Sequence, residues 1–272
     1  MPERGYVPKT SLCRLRARNT GKLLAYMCRI YEFILTVWID DGPQFQVWEF
    51  ANMRVYYLTS AQHALSNLIF HRLKVSRFDD LNDPFELLAV NLDNRDLRIG
   101  MRAKKEQIHS TEGLLCFSKK WSNPLIWGHY AEKHTGVALG FDIPDHLLTR
   151  VRYRSGLNRF KIESDDVDEA MVQDFLNELR RTKFSDWAYE DEFRQFIELS
   201  TTQQEGNLHF VPFSPNLQLR EVILGARFRL PSQRIKSLVA GFEPTVHVKK
   251  ARIALTKFGV TEDRSFREAA SK

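Results

Sequence analysis

Met53-Arg54-Val55-Tyr56-Tyr57-Leu58-Thr59-Ser60 is the stretch from which the fold is read. Residues 54–58 are β-formers, and Ser60 then stands where a helix N-cap belongs, ahead of Ala64, Leu65, Leu68 and Ile69 at helical spacing. Strand followed by helix is thus the opening unit. Downstream, residues 73–78 read as a second strand that runs into the Asx- and Pro-rich turn 79–86. Residues 94–109 form a charged amphipathic helix and 113–118 a buried strand. Asn123-Pro124 supplies an N-cap with proline at the first helical position, for a helix running to about Lys133 with Gly136 nearby as its stop. Residues 136–141 and 150–154 are further strands. Residues 165–182 make a helix that is acidic at its start and basic at its end, as the macrodipole favours. In 192–199, Phe193, Gln195, Ile197 and Leu199 alternate with Glu192, Arg194, Phe196 and Glu198 across a strand. Strands at 221–224, 245–248 and 251–258, with a helix at 232–240, complete the series.

Strands and helices in irregular alternation predict an α+β fold, a single domain with a mixed, largely antiparallel sheet flanked by helices. Residues 53–260 are expected to form that domain and 261–272 a flexible tail. Residues 1–52 read as a poorly ordered or dispensable extension, because Met53 is itself a natural chain start.

The chain has 272 residues, 43% hydrophobic and 27% charged, which is ordinary globular composition and excludes disorder as the main state. Forty Lys+Arg against 34 Asp+Glu leave a net charge of +6, spread thinly enough to fit a mixed solvated surface as well as a polyanion-binding face. Cys13, Cys28 and Cys116 are too few and too far apart for a disulfide framework or a zinc knuckle, which points to a reducing cytoplasm. The apolar run 23–39 is short for a membrane span and is broken by Arg29 and Glu32, so no membrane association is expected.

Three segments gather the polar and aromatic residues suited to a site: 56–60, 116–136 and 187–194. Trp127 and Tyr130 share a helix face and fit a core position with their polar tips satisfied internally, ahead of a stacking surface for a ligand. Glu190, Glu192 and Arg194 point one way if the strand is regular, and Glu192 with Arg194 then makes a same-face ion pair. Three clustered acids are costly unless exposed or used. His129 and His134, five apart, miss the i, i+4 spacing of a helical metal pair, and no metal site is expected. Dinucleotide-binding, phosphate-loop and nucleophile-elbow glycine motifs are absent.

Several motifs occur together: Phe78-Asp79-Asp80-Leu81-Asn82-Asp83-Pro84-Phe85-Glu86; Cys116-Phe117-Ser118; Leu125-Ile126-Trp127-Gly128-His129-Tyr130-Ala131; His134-Thr135-Gly136-Val137; Lys183 with Trp187-Ala188-Tyr189-Glu190-Asp191-Glu192-Phe193-Arg194; and Val222-Ile223-Leu224-Gly225. In this order they resemble the bacterial family of domain of unknown function 2971, over about residues 55–225. That family implies no reaction.

A more remote resemblance, to ADP-ribosyltransferases, lies in the first strand 55–60, the Phe-Ser strand and the late Glu-x-Glu strand. It implies NAD as cofactor, with Glu192 and Glu190 catalytic, and Arg54, Tyr57, Thr59, Ser118, Trp127, Tyr130 and Arg194 as the cofactor-binding set. A nucleic acid or a protein would be the acceptor, and a toxin or phage-defence setting would suit the chemistry. Two other readings use the same segments. Asp83, Glu86, Glu190 and Glu192 would serve a metal-dependent nuclease, or the chain would be a non-catalytic nucleotide- or partner-binding module.

Overall fold

The computed structural model describes residues 51–158 and 169–268. The expectation for residues 1–52 therefore lies outside the described residues, apart from its last two positions, and so does the expected first turn of the helix beginning at Asp165.

The opening unit forms as read. Strand β1 (Asn52–Thr59) leads through the Ser60 cap, whose side chain accepts from the His63 N–H, into α1 (Ala61–Phe70). β2 (Arg72–Lys74) and a 3-10 turn over Phe78–Asp80 follow. Next come α2 (Arg95–Thr111), β3 (Glu112–Ser118), α3 (Pro124–Tyr130) and β4 (Val137–Pro144). The Asn94 side chain caps α2 by accepting from the Asp96 and Leu97 N–H groups at 2.7 and 3.1 Å. Short strands β5 (Thr149–Arg150) and β6 (Arg152–Arg154) precede α4 (Glu169–Arg180). β7 (Thr182–Phe184), β8 (Glu192–Glu198), β9 (Gln203–Glu205), β10 (Leu208–Pro212) and β11 (Gln218–Leu224) follow. The described chain closes with α5 (Ser232–Val239), β12 (His247–Ile253), β13 (Val260–Glu262) and α6 (Ser265–Glu268).

Eight strands make the main sheet, in the order β13-β12-β11-β4-β1-β3-β8-β5. Its neighbours are antiparallel except β11 with β12, so the α+β architecture with a mixed, largely antiparallel sheet is as expected. β1 pairs with β4 along its whole length, from Asn52↔Pro144 to Thr59↔Val137. β3 pairs equally fully with β8, from Glu112↔Glu198 to Ser118↔Glu192. Between these two blocks, β1 and β3 meet at a single register pair, Tyr56↔Ser118. The sheet is therefore split at its middle.

Period-2 alternation assigns the faces. Val55, Leu115, Phe117, Leu139, Phe141, Val222 and Leu224 point to one face, where Leu68 of α1 and Ile235 of α5 cover them. On the opposite face, Trp127 of α3 packs with Ala138 and Ile223, and Met101, Ile108, Leu176 and Leu179 of α2 and α4 pack with Leu114.

The structure corrects several readings: the strand expected at 73–78 is β2, which ends at Lys74, and that expected at 150–154 is divided between β5 and β6 in different sheets. α3 stops at Tyr130 instead of about Lys133, because Glu132, Lys133 and His134 take positive φ values of 45°, 53° and 74°. The strands expected at 245–248 and 251–258 are one strand, β12, whose charged Lys249-Lys250 step lies inside it. Thr261 and Glu262, placed in a flexible tail by the sequence reading, pair in β13 with Arg252 and Ala251, and Phe266 packs against the core.

Candidate functional site

The split between β1 and β3 opens a cavity of 220 Å³ on the face that carries α3. Tyr56, Tyr57 and Leu58 line it from β1, and Cys116, Phe117 and Ser118 from β3. Ile126 and Tyr130 of α3 form one wall, Asp80, Leu81 and Asn82 of the Asx turn another, and Lys183, Glu190 and Glu192 the floor.

The floor belongs to a buried ionic network. The Arg194 side chain has no exposed surface, and its guanidinium forks onto Glu86, Nη2 to Oε1 at 2.6 Å and Nη1 to Oε2 at 2.8 Å. Its Nε donates to Glu192 Oε1 at 2.8 Å, and Nη1 also reaches the Arg180 carbonyl at 2.8 Å. Lys183 Nζ lies 2.5 Å from Glu190 Oε2 and 3.0 Å from Glu192 Oε2. The Tyr130 hydroxyl donates to the other oxygen of Glu190. A bidentate Arg–carboxylate pair with every donor used is the form in which buried charge is tolerated.

Local backbone chemistry sets this arrangement. Asp191 adopts a left-handed conformation, φ 46° and ψ 54°, which ends a 3-10 turn over Ser185–Glu190 just before β8. Glu190 consequently enters the cavity from the turn, Glu192 from the strand, and Asp191 turns toward Arg150 at 3.3 Å. The Ser118 hydroxyl lies 2.5 Å from the Glu190 carbonyl and 2.8 Å from the Lys120 carbonyl, anchoring that turn to β3. Asn123 contributes twice, its Oδ1 capping α3 at the Leu125 N–H and its Nδ2 donating to the Tyr189 carbonyl at 3.0 Å.

Two cations, Lys183 and Arg194, face three carboxylates, Glu86, Glu190 and Glu192, so the network carries one carboxylate in excess. Burial opposes ionisation of Glu192, but Arg194 and Lys183 outweigh it and hold its carboxyl down at about 2. Burial raises Glu190 above the ordinary glutamate range; Lys183 opposes the rise and Glu192 reinforces it. Of the two glutamates on the floor, Glu190 is therefore the one that takes up a proton first as the pH falls. Burial pushes the Tyr57 phenol up to about 12 and the Cys116 thiol well above its usual value, the latter reinforced by Glu192, so both stay neutral at pH 7.

Of the residues singled out from the sequence, Tyr57, Ser118, Tyr130, Glu190 and Glu192 meet at the cavity. Four others do not line it. Trp127 is fully buried and its indole N–H donates to the Trp121 carbonyl at 2.6 Å, so it serves the core. Arg194 is sealed beneath the floor. Arg54 is held by Asp142, Nε to Oδ1 at 2.5 Å, and by Glu221 at 3.2 Å. Thr59 is buried in the β1–β4 ladder.

Lys183 is the member to which the sequence reading assigned no role, and Glu86, grouped there with Glu190 and Glu192 as a metal ligand, is instead the partner of Arg194. The signal for Lys183 was compositional, since buried acids demand buried bases. Asp83 accepts from the backbone N–H groups of Phe85 at 2.9 Å and Phe184 at 3.4 Å. The Asp83-Pro84-Phe85-Glu86 motif is thereby explained as a brace that delivers Glu86 to Arg194. Among the described residues no group of three or more His, Cys, Asp or Glu side chains is placed to hold a metal ion.

No described helix is long and apolar enough to cross a membrane. Comparison with known protein families, with curated proteins and with solved structures finds no match to this chain.

Proposed function

We propose that the chain cleaves the nicotinamide–ribose bond of NAD, releasing nicotinamide and passing the ADP-ribosyl group to water or to an acceptor, with Glu190 as the acting carboxylate. The observation that carries this reading is the excess carboxylate on the floor of a cavity formed where the two central strands part. Departure of nicotinamide leaves positive charge on the ribose in an oxocarbenium-like state. A carboxylate already fixed in a water-poor site stabilises that charge without reorganising. Lys183 and Tyr130 hold Glu190 in place, and Tyr56 and Tyr57 supply rings for the planar leaving group.

The order of a first strand at the cavity, a middle Phe-Ser strand and a late Glu-x-Glu strand supports the reading through its resemblance to ADP-ribosyltransferases. The roles within the Glu-x-Glu pair shift from that resemblance. Glu192 is held by two cations, Arg194 and Lys183, whereas Glu190 pairs with Lys183 alone beside the neutral Tyr130 hydroxyl, which makes Glu192 a positioning residue. The nuclease alternative is disfavoured by the occupation of Asp83 with backbone N–H groups and of Glu86 with Arg194.

The test is nicotinamide release from NAD by the purified full chain, wild type beside Glu190→Gln, with and without EDTA. Release that EDTA leaves unchanged and that falls about a hundredfold or more in Glu190→Gln is expected. In wild type its acid limb should lie above the ordinary glutamate range, following the raised Glu190. Absence of nicotinamide release retires the proposal.

A further inference from the structure

A second hollow, of 420 Å³, borders the first across Tyr56, which lines both. Two loops build it. Lys119, Lys120, Trp121 and Ser122 follow β3, and residues 257–261 lead into β13. The Val260 N–H donates to the Ser122 carbonyl at 2.8 Å and joins the loops, while the Ala254 N–H donates to the Gly259 carbonyl at 2.9 Å and closes the second one.

The hollow combines two kinds of group. Lys119, Lys120 and Lys257 bring positive charge, and among the described residues none of them forms an ion pair with a carboxylate; Lys119 Nζ touches only the Arg54 carbonyl, at 3.4 Å. Trp121 is half-buried and Phe258 is fully exposed, next to the likewise exposed Leu255. Scattered exposed apolar residues are ordinary. A bare phenylalanine on the rim of a hollow carrying three cations that lack carboxylate partners is a different arrangement, since it offers a ring face and a phosphate contact within one site.

We infer that this hollow is a nucleotide-binding cleft, in which the lysines take phosphate oxygens and Trp121 and Phe258 take the base. Lysine holds phosphate as a compact charge, and aromatic faces stack on any base. The cleft is argued from its own residues. It rests on NAD cleavage only for one consequence, that a dinucleotide with its reacting ribose in the first cavity would run past Tyr56 and lay its phosphates on the lysines.

The experiment is calorimetric titration of the full chain with ADP, adenosine and a short oligothymidylate, beside the double variant Lys119→Ala/Lys257→Ala and the single variant Phe258→Ala. Lys257 and Phe258 are exposed and Lys119 is half-buried, and circular dichroism checks that each variant folds. Expected are ADP binding that weakens about tenfold or more in the lysine variant and several-fold in Phe258→Ala, weaker binding of adenosine, and loss of ADP affinity as salt rises. The inference is overturned by any of three results: no heat with ADP, ADP binding indifferent to the lysines, or oligothymidylate binding without ADP binding. ADP binding without nicotinamide release leaves the cleft standing and retires the cleavage reading; release without ADP binding does the reverse.

Discussion

At the scale of single residues, the buried quartet of Arg194, Glu86, Glu192 and Lys183 is the feature on which the site depends. Burying ions costs solvation that their mutual attraction roughly offsets, so the intact network adds little net stability, whereas removing one partner strands the rest. Arg194→Leu leaves Glu86 and Glu192 buried without their guanidinium and should lose about 3–5 kcal/mol in urea unfolding. Glu190→Gln removes the excess carboxylate and keeps the shape, so it should cost much less than Arg194→Leu in the same assay. If the two variants were equally destabilised, Glu190 would be a structural member of the network and not its functional edge.

Elements place these residues, and two close backbone contacts govern how. The α3 cap at Asn123 also ties α3 to the turn that carries Glu190. Asn123→Ala should therefore cost about 1 kcal/mol as a lost cap, and should lower the rate of nicotinamide release more than a stability loss of that size accounts for. Gly136, after α3, has no room for a side chain: an added Cβ would lie 2.2 Å from the Thr59 carbonyl oxygen and 2.9 Å from the Ala131 backbone. Gly136→Ala must push β1 and the end of α3 apart, and a drop in stability of about 1–3 kcal/mol is expected in denaturant titration. Gly136 does not stop α3, which ends at Tyr130; the approach of β1 is the reason for glycine there.

For the whole molecule, the same charges predict how stability depends on pH. Glu192 is held at about 2 in the fold, against about 4.3 in an unfolded chain. Its contribution is thus fully present above about 4.3 and is lost as the pH falls toward about 2. Glu190, raised in the fold, acts with the opposite sign: its proton favours the folded state below about pH 4.3, and this contribution fades as the pH rises through its raised value. Urea midpoints measured from pH 7 to pH 2 should fall steeply below about pH 4 in the wild type. The difference between wild type and Glu192→Gln should narrow over that same interval, and a constant difference would contradict the assignment. The sequence by itself determined the elements whose signals are local: the Ser60 and Asn123 caps, the alternating faces of β8, and the α+β class. It also determined that Glu192 and Arg194 share a face, because strand periodicity needs no partner to be read. Only the tertiary structure decided that β1 and β3 part after one pair, that Trp127 is core while Tyr130 faces a cavity, that Lys183 pairs with Glu190 and Glu192, and that Glu86 pairs with Arg194. Those outcomes depend on contacts between segments up to 108 residues apart, where burial and charge pairing act together and no local pattern records them.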